Sequence, residues 1–325
     1  MEIKEIIEKI PDIKVLSGPF QGGQKEVYKC EINGKENALK FIKSTVAGDE
    51  GEIRCEREIN TLSMCNSKHL IKLGEIPYTE VSEGSNHIVY YSEEWVQGYE
   101  LYSLLSGNKL LTEAFAKKLA IEISFAIEEL WKHNKIHRDI KPLNIMYDEC
   151  NDRFVLLDLG MVFDSAEDAL TRYGCIPGTV GYFSPEQFDL SRKNDLDFRS
   201  DLFCLGIVLY QMLTGIHPFI KKGDTNQDVF TKIKTLTPPS IREYRSDISM
   251  EFEKVIFRLL RKRPSERYRN TKLLRDAITE PDGIRKLFSE ACKGSSNTQE
   301  KWWNQNFGNS NSRRQNRTNG CEDVL

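Results

Sequence analysis

The run HRDIKPLNIM, His137 to Met146, sets an aspartate, a lysine and an asparagine in one short polar segment. Asp139 can accept a proton from a hydroxyl. Asn144 can offer its amide oxygen to magnesium, a hard cation that prefers oxygen ligands. Lys141 can sit near a transferring phosphoryl group, and Pro142 keeps the segment out of a helix. A second run, FVLLDLGMV, delivers Asp158 from the apolar stretch Phe154 to Leu157. A carboxylate at the end of a buried strand is costly to desolvate without a partner, and magnesium is the natural one. A third candidate is Lys40 in NALKFIK. It needs a carboxylate, and Glu58 supplies one from a charged helical stretch, whereas Glu56 points away from any face that Glu58 presents. The chemistry such a set could perform is phosphoryl transfer. That reaction asks a protein for a group that orients the hydroxyl, for metal ligands and for cations near the phosphates, with little covalent work.

The elements that must position these residues change character along the chain. Residues 13–32 and 36–43 read as strands, with Asn33-Gly34 between them as a tight-hairpin signal. Residues 50–65 predict a charged helix carrying apolar Ile53, Ile59 and Leu62. HLIKLGEI, 69–76, and HIVYYSEEWV, 87–96, predict two further strands. After Gly98 the pattern turns helical. Phe115, Leu119, Ile123, Ile127 and Leu130 recur at helical spacing between Thr112 and His133, with Thr112 as N-cap and Glu113 at the positive end of the helix dipole. Ser200 to Leu213 is apolar nearly all round, which predicts a buried central helix, and Gly215 stops it. Residues 250–262 and 271–290 predict two more helices. The fold class is therefore α+β: a small, mostly antiparallel β lobe with one helix over 1–97, then a larger helical lobe over 98–290. Residues 291–325 are rich in Asn, Gln, Ser and Gly and predict a disordered tail. Trp302, Trp303 and Phe307 within it fit either weak docking on the domain or a partner-binding motif.

Composition narrows the classes. A length of 325 residues fits one large or two-lobed domain. A net charge of −3 gives no support for a nucleic-acid binder. The most apolar stretch, Leu202 to Leu213, is shorter than the roughly 20 residues a bilayer requires. The first residues lack the apolar core of a signal peptide, so no membrane partner is expected. Eight cysteines without a CxxC pair argue against a zinc site or a disulfide framework. They predict reduced thiols in a cytoplasmic protein, with Cys204 in the core.

Taken together, these residues resemble the protein-kinase signature set over about residues 13 to 280, and the chain is identified as a eukaryotic-type protein kinase. The resemblance implies a two-lobed fold and ATP- and magnesium-dependent transfer to Ser/Thr hydroxyls of protein substrates, autophosphorylation included. Lys141 two positions after Asp139 resembles Ser/Thr rather than tyrosine kinases, and GGQKEVY leans toward the bacterial type. By that resemblance Lys40 is the phosphate lysine and Glu58 its ion-pair partner. Asp139 is the catalytic base, Lys141 assists it, and Asn144 and Asp158 hold the metal. Gly22, Gly23, Val27, Ala38, Glu94 and Val96 complete the nucleotide site. In GTVGYFSPEQ, Thr179 supports the catalytic loop and Glu186 pairs with a later arginine, Arg267, while Asp201 anchors the catalytic-loop backbone. Arg138 would pair with a phosphate on an activation loop whose acceptors include Ser165, Thr171, Tyr173 and Thr179, Thr171 being preferred. Two other readings stand beside this one: a pseudokinase binding module and a small-molecule kinase of similar fold.

Two positions depart from the family pattern. Lys25 stands where the third glycine of the phosphate-covering loop belongs, adding a positive charge where glycine would let backbone approach phosphate. Glu93 stands where an apolar residue is usual ahead of the hinge residues Glu94 and Val96. A buried carboxylate there requires a partner or a raised pKa.

Overall fold

Asn33 and Gly34 decide the first sheet. Both take positive φ, 53° and 75°, the backbone that a two-residue hairpin turn requires and that these two residues tolerate. The computed structural model describes residues 2–22, 25–44, 50–83, 86–106, 110–159, 163–164, 180–188 and 196–279. Gly23, Ser165, Thr171, Tyr173, Thr179 and the tail 291–325 lie outside them. The chain divides into Met1–Ile278 and Thr279–Leu325.

A short helix α1 (Ile3–Ile7) precedes the sheet, whose strands are β1 (Ile13–Gly22), β2 (Lys25–Ile32), β3 (Lys35–Ser44), β4 (Thr79–Glu83) and β5 (Asn86–Glu94), with helix α2 (Glu50–Met64) after β3. Every pairing is antiparallel, in the order β1-β2-β3-β5-β4. The hairpin fixes the register: Lys25 faces Ile42, Val27 faces Lys40 and Ala38 faces Lys29 across β2 and β3. Lys40 then faces Tyr91, and Ala38 faces Glu93, across β3 and β5. Paired residues share a face and neighbours along a strand alternate. Lys25, Val27, Ala38, Lys40, Tyr91 and Glu93 therefore look out on the same side. On that side Cys55 of α2 packs with Ile42, Val89 and Tyr91. The other side buries Tyr28, Cys30, Leu39, Phe41 and Ile88 against Ile3, Ile6 and Ile7 of α1, a helix the sequence reading did not anticipate. In α2 the buried stripe is Glu52, Cys55, Glu58 and Leu62, so the helix turns two carboxylates inward.

The strand expected over 69–76 does not form. Its only ladder contacts are single bridges, Leu70 to Leu156 and Leu73 to Glu93. The Ser92 hydroxyl and the Asn37 amide oxygen accept from the N–H groups of Ile76 and Glu75, and Pro77 has no N–H with which to continue a ladder. The strand appears later, as β4. The extended segment instead ties β5 to the strand that leads to Asp158.

The second part holds β6 (Gly98–Glu100), α3 (Leu101–Ser106), α4 (Glu113–Lys132), β7 (Lys135–Ile136), β8 (Ile145–Asp148), β9 (Arg153–Leu156), β10 (Phe163–Asp164), α5 (Phe198–Thr214), α6 (Asn226–Thr235), α7 (Ile241–Tyr244), α8 (Met250–Leu259) and α9 (Thr271–Thr279). Strands β6, β8 and β9 form a small sheet, and β7 pairs with β10. The expected cap is present, since Thr112 Oγ1 accepts from Phe115 N–H at 3.2 Å. Helix α5 is buried on nearly every face, starts at an Asp197 cap and ends at Gly215 with φ 72°, as an apolar-all-round helix with a terminal glycine should. Cys204 within it is fully buried. No helix among the described residues is long and apolar enough to cross a membrane.

One buried ion pair locks this part. Arg267 Nη1 and Nη2 reach Glu186 Oε1 and Oε2 at 2.6 and 2.9 Å. The remaining guanidinium donors go to the carbonyls of Arg261, Arg199 and Lys262. Burial works against the charge on Glu186, but Arg267 outweighs it and holds the carboxyl below its ordinary value. Removing one partner strands the other as an uncompensated buried charge, which costs about 3–5 kcal/mol. Glu186→Ala is expected to lower the unfolding free energy by about that amount in urea titration, and an unchanged midpoint would contradict the assignment.

Candidate active site

The polar segment after α4 is shaped by backbone tethers. Asp201, buried in α5, accepts from His137 N–H at 2.9 Å and from Arg138 N–H at 2.8 Å. Gln187 Nε2 donates to the Arg138 carbonyl at 3.0 Å. Arg138 is thereby held at φ 68°, a left-handed conformation uncommon outside glycine and stable only when its surroundings fix it. His137 Nδ1 accepts from Asp139 N–H at 3.2 Å. The ring proton therefore sits on Nε2, which donates to the Leu157 carbonyl at 3.0 Å. Leu157 N–H donates in turn to the Asn144 carbonyl at 2.8 Å. Two hydrogen bonds through Leu157 thus fix Asp158 relative to Asn144. Asp158 itself takes φ 58°, which aspartate tolerates better than most residues.

Within this frame Asp139 Oδ2 accepts from Lys141 Nζ at 2.7 Å and from Asn144 Nδ2 at 2.9 Å. Asn144 Nδ2 also donates to the Asp139 carbonyl at 2.8 Å. With both amide protons committed to Asp139, the polar atom left over on Asn144 is its oxygen, an acceptor and a ligand for a hard cation. Asp139 Oδ1 is buried with no hydrogen-bond partner among the described residues. Burial raises the Asp139 pKa, with Lys141 opposing and the nearby charge of Asp158 adding to the rise. The turn Pro142–Asn144 follows directly, so Pro142 starts a short 3-10 turn rather than merely barring a helix.

The opposite wall carries four charged groups, Lys25, Lys40 and Glu93 from the sheet and Glu58 from α2. Glu58 has no exposed side-chain surface, and Lys25 Nζ approaches it at 2.7 Å. Lys25 also reaches Asp158 Oδ1 at 3.2 Å. Lys40 Nζ lies 2.5 Å from Glu93 Oε2 and 3.7 Å from Glu58 Oε1. The expected Lys40–Glu58 contact is thus present but long, and the nearer carboxylate to Lys40 is Glu93. Burial works against the charge on Glu58, and Lys25 first, then Lys40, outweighs it and lowers its pKa. Lys25, above all, also holds Asp158 well below the usual carboxylate range. Burial opposes the charge on Lys25, yet Asp158 and Glu58 raise its pKa.

The sequence-derived residues Lys40, Glu58, Asp139, Lys141, Asn144 and Asp158 therefore gather at one site. Val27 and Ala38 share the face of Lys40, and Gly22 stands opposite Lys25 at the end of β1. The Glu94 N–H is taken by the Lys72 carbonyl and its carboxylate by Arg153 at 3.2 Å, while Val96 is buried. Three roles escaped the sequence reading: the reach of Lys25, the lysine that partners Glu93, and the tether from Gln187. Spacing signals could not show them, because each is a contact between elements distant in sequence.

Glu93 makes the site sensitive to pH. Burial pushes its pKa from 4.5 to about 7, with Lys40 opposing the rise and Glu58 adding to it. An acid raised in the folded state contributes stability in full below its unfolded pKa, and loses that contribution as the pH rises through the folded pKa. Wild type and Glu93→Met are therefore expected to differ, and the wild-type-minus-variant unfolding free energy should fall between pH 5 and pH 8. A difference that stays constant or grows would place the proton elsewhere.

A family model described as the protein kinase domain matches residues 21–278. The serine/threonine-protein kinase pkn3 of Myxococcus xanthus is 31% identical over 290 residues, covering 86% of this chain and 51% of that protein. PrkC of Bacillus subtilis (strain 168) is 28% identical over 269 residues, 82% of this chain and 39% of its own length. PknB of Mycolicibacterium smegmatis is 28% identical over 260 residues, 78% of this chain and 40% of its own. The chain spans about half the length, or less, of these curated relatives. It belongs to the protein kinase domain family.

Proposed function

We propose that the chain is an ATP- and magnesium-dependent protein kinase that phosphorylates Ser/Thr hydroxyls. The observation that carries the reading is the join between Asn144 and Asp158. The Asn144 amide is turned so that its oxygen is left over, and Leu157 binds that residue to the one bearing the ionised Asp158 carboxylate. Two oxygen donors of this kind suit magnesium. Once bound there, the metal would neutralise charge developing on the transferred phosphoryl group.

The chain's own residues supply the rest. In this reading Asp139 Oδ1 accepts the hydroxyl proton of a protein substrate; supporting it, Oδ2 is already held by Lys141 and Asn144. A raised carboxyl pKa makes it a better base than an ordinary aspartate. As the hydroxyl oxygen bonds to the γ-phosphorus, the bond from that phosphorus to the β–γ bridging oxygen breaks. The electron pair leaves on ADP and the proton passes to Asp139. Lys141, paired with Asp139 Oδ2 at 2.7 Å, sets a positive charge beside the carboxylate to offset the developing negative charge. The relatives' names support Ser/Thr as acceptor, in keeping with Lys141. The buried Ser184–Glu186 segment, clamped by Arg267, favours a peptide substrate over a small molecule.

The same reading divides the chain into a nucleotide-binding part, 1–97, a catalytic part, 98–290, and a polar tail, 291–325. It locates the catalysis in the cytoplasm, where ATP is available and where the free thiols of Cys30, Cys55, Cys65, Cys150 and Cys204 stay reduced.

Asp139→Ala is expected to lower transfer from labelled ATP by about 10²-fold or more, with unchanged thermal unfolding, when autophosphorylation and a generic basic protein serve as readouts. Asp158→Asn should lose the magnesium-dependent transfer. Full activity in either variant would overturn the assignment it tests.

A further inference from the structure

The two departures from the family pattern, Lys25 and Glu93, meet in one charge cluster. Lys25 and Lys40 are diagonal neighbours on the same face of the β2–β3 hairpin, since Lys25 lies two residues from Val27, which faces Lys40. Both reach toward Glu58, Lys25 at Oε2 and Lys40 at Oε1, but only Lys25 comes within hydrogen-bond distance. Glu93 draws Lys40 to 2.5 Å and leaves it 3.7 Å from Glu58. Lys25 takes the vacated role at 2.7 Å.

We infer that Lys25, not Lys40, is the lysine that anchors the nucleotide's phosphates in this chain, and that the Glu93 carboxylate holds Lys40 back as a positioning pair behind it. The inference deepens the nucleotide-binding reading above and rests on it.

Four features support the exchange. Lys25 bridges Glu58 on α2 and Asp158 beyond β9, so one ammonium group spans the helix that must be in place and the carboxylate expected to hold the metal. The ion pairs of Lys40 are with Glu58 and Glu93, and its ammonium lies over the Tyr91 ring at 5.7 Å, a setting that suits a structural cation. Charge is also conserved across the exchange. Adding Lys25 and Glu93 together to a set of Lys40, Glu58 and Asp158 leaves its formal net charge unchanged, whereas Glu93 alone would set a third carboxylate beside a single lysine. Lys25 is itself mostly covered, as a lysine on a solvated loop would not be.

An acyl phosphate of ATP tests this on the wild-type protein. A lysine amine beside the bound phosphates attacks the acyl carbonyl, forms an amide and releases ATP, and peptide mass spectrometry reads which lysine carries the acyl group. Label on Lys25 exceeding that on Lys40, and suppressed by excess ATP, is the expected result. Label on Lys40 exceeding that on Lys25 overturns the inference while leaving the kinase reading intact. If no lysine shows ATP-suppressed label, the nucleotide-binding reading fails beneath it. Kinetics give a second arm. Lys25→Gly should lower kcat/KM for ATP by about tenfold or more. The pair Lys25→Gly with Glu93→Met frees Lys40 to approach Glu58 and should recover most of that loss. A double variant no better than Lys25→Gly would contradict the proposed role of Glu93.

Discussion

A carboxylate with no exposed surface stays ionised only if cations replace the water it has lost, and Glu58 is such a group. It projects from the buried stripe of α2 onto a face of the sheet whose residues were settled by the Asn33-Gly34 turn. Because side chains alternate along a strand, a slip of one residue in the β2–β3 register would turn both lysines to the other face. There they would meet the apolar cluster under α1 rather than Glu58. The position of α2, the direction of Lys25 and Lys40, and through Lys25 the state of Asp158, all follow from this pairing.

The other wall of the site is built on a different principle. Asp139 and Asn144 are placed by backbone tethers, Asp201 and Gln187 gripping both polar groups of Arg138. His137 and Asn144 grip both polar groups of Leu157. These tethers satisfy the backbone N–H and carbonyl of both Arg138 and Leu157, and they tolerate the left-handed backbone at Arg138 and Asp158. The walls are joined by the extended segment that bridges Leu156 at one end and Glu93 at the other. A shift of β5 is thereby felt at the strand that presents Asp158.

What could be read from the sequence follows from how local each feature is. Asp139, Lys141 and Asn144 share a single loop, and Asp158 ends the next hairpin, so spacing alone grouped them. Helices α4 and α5 carried their caps and periodicity in their own residues. The strand expected at 69–76 was misplaced because its end is drawn off, the N–H groups of Glu75 and Ile76 going to Asn37 and Ser92, side chains that no local window contains. Helix α1 was missed because its apolar face, Ile3, Ile6 and Ile7, is short and lies among charges, and tertiary packing rather than propensity holds it. The reach of Lys25 stands between these cases. The hairpin signal already implied that Lys25 and Lys40 share a face, but Glu58 lies on a separate element, so the pairing could be inferred only once the helix was placed.

Departures from a family pattern are usually weighed one at a time, and weighed so, Lys25 weakens a phosphate loop and Glu93 buries a charge. Together they describe a different solution to the same electrostatic problem. The sheet face must present one cation to Glu58 and the phosphates, and any further cation there needs its own carboxylate. Glu93 meets that need from β5, opposite Ala38 in the register, and its raised pKa shows that burial still strains the arrangement. Loss of function would not require such a match: a decaying site could lose a glycine or gain a carboxylate without gaining the partner. That the added lysine and the added carboxylate are joined through Glu58 and Lys40 by contacts of 2.5 to 3.7 Å argues for a site rearranged under the constraint of charge balance rather than one released from it.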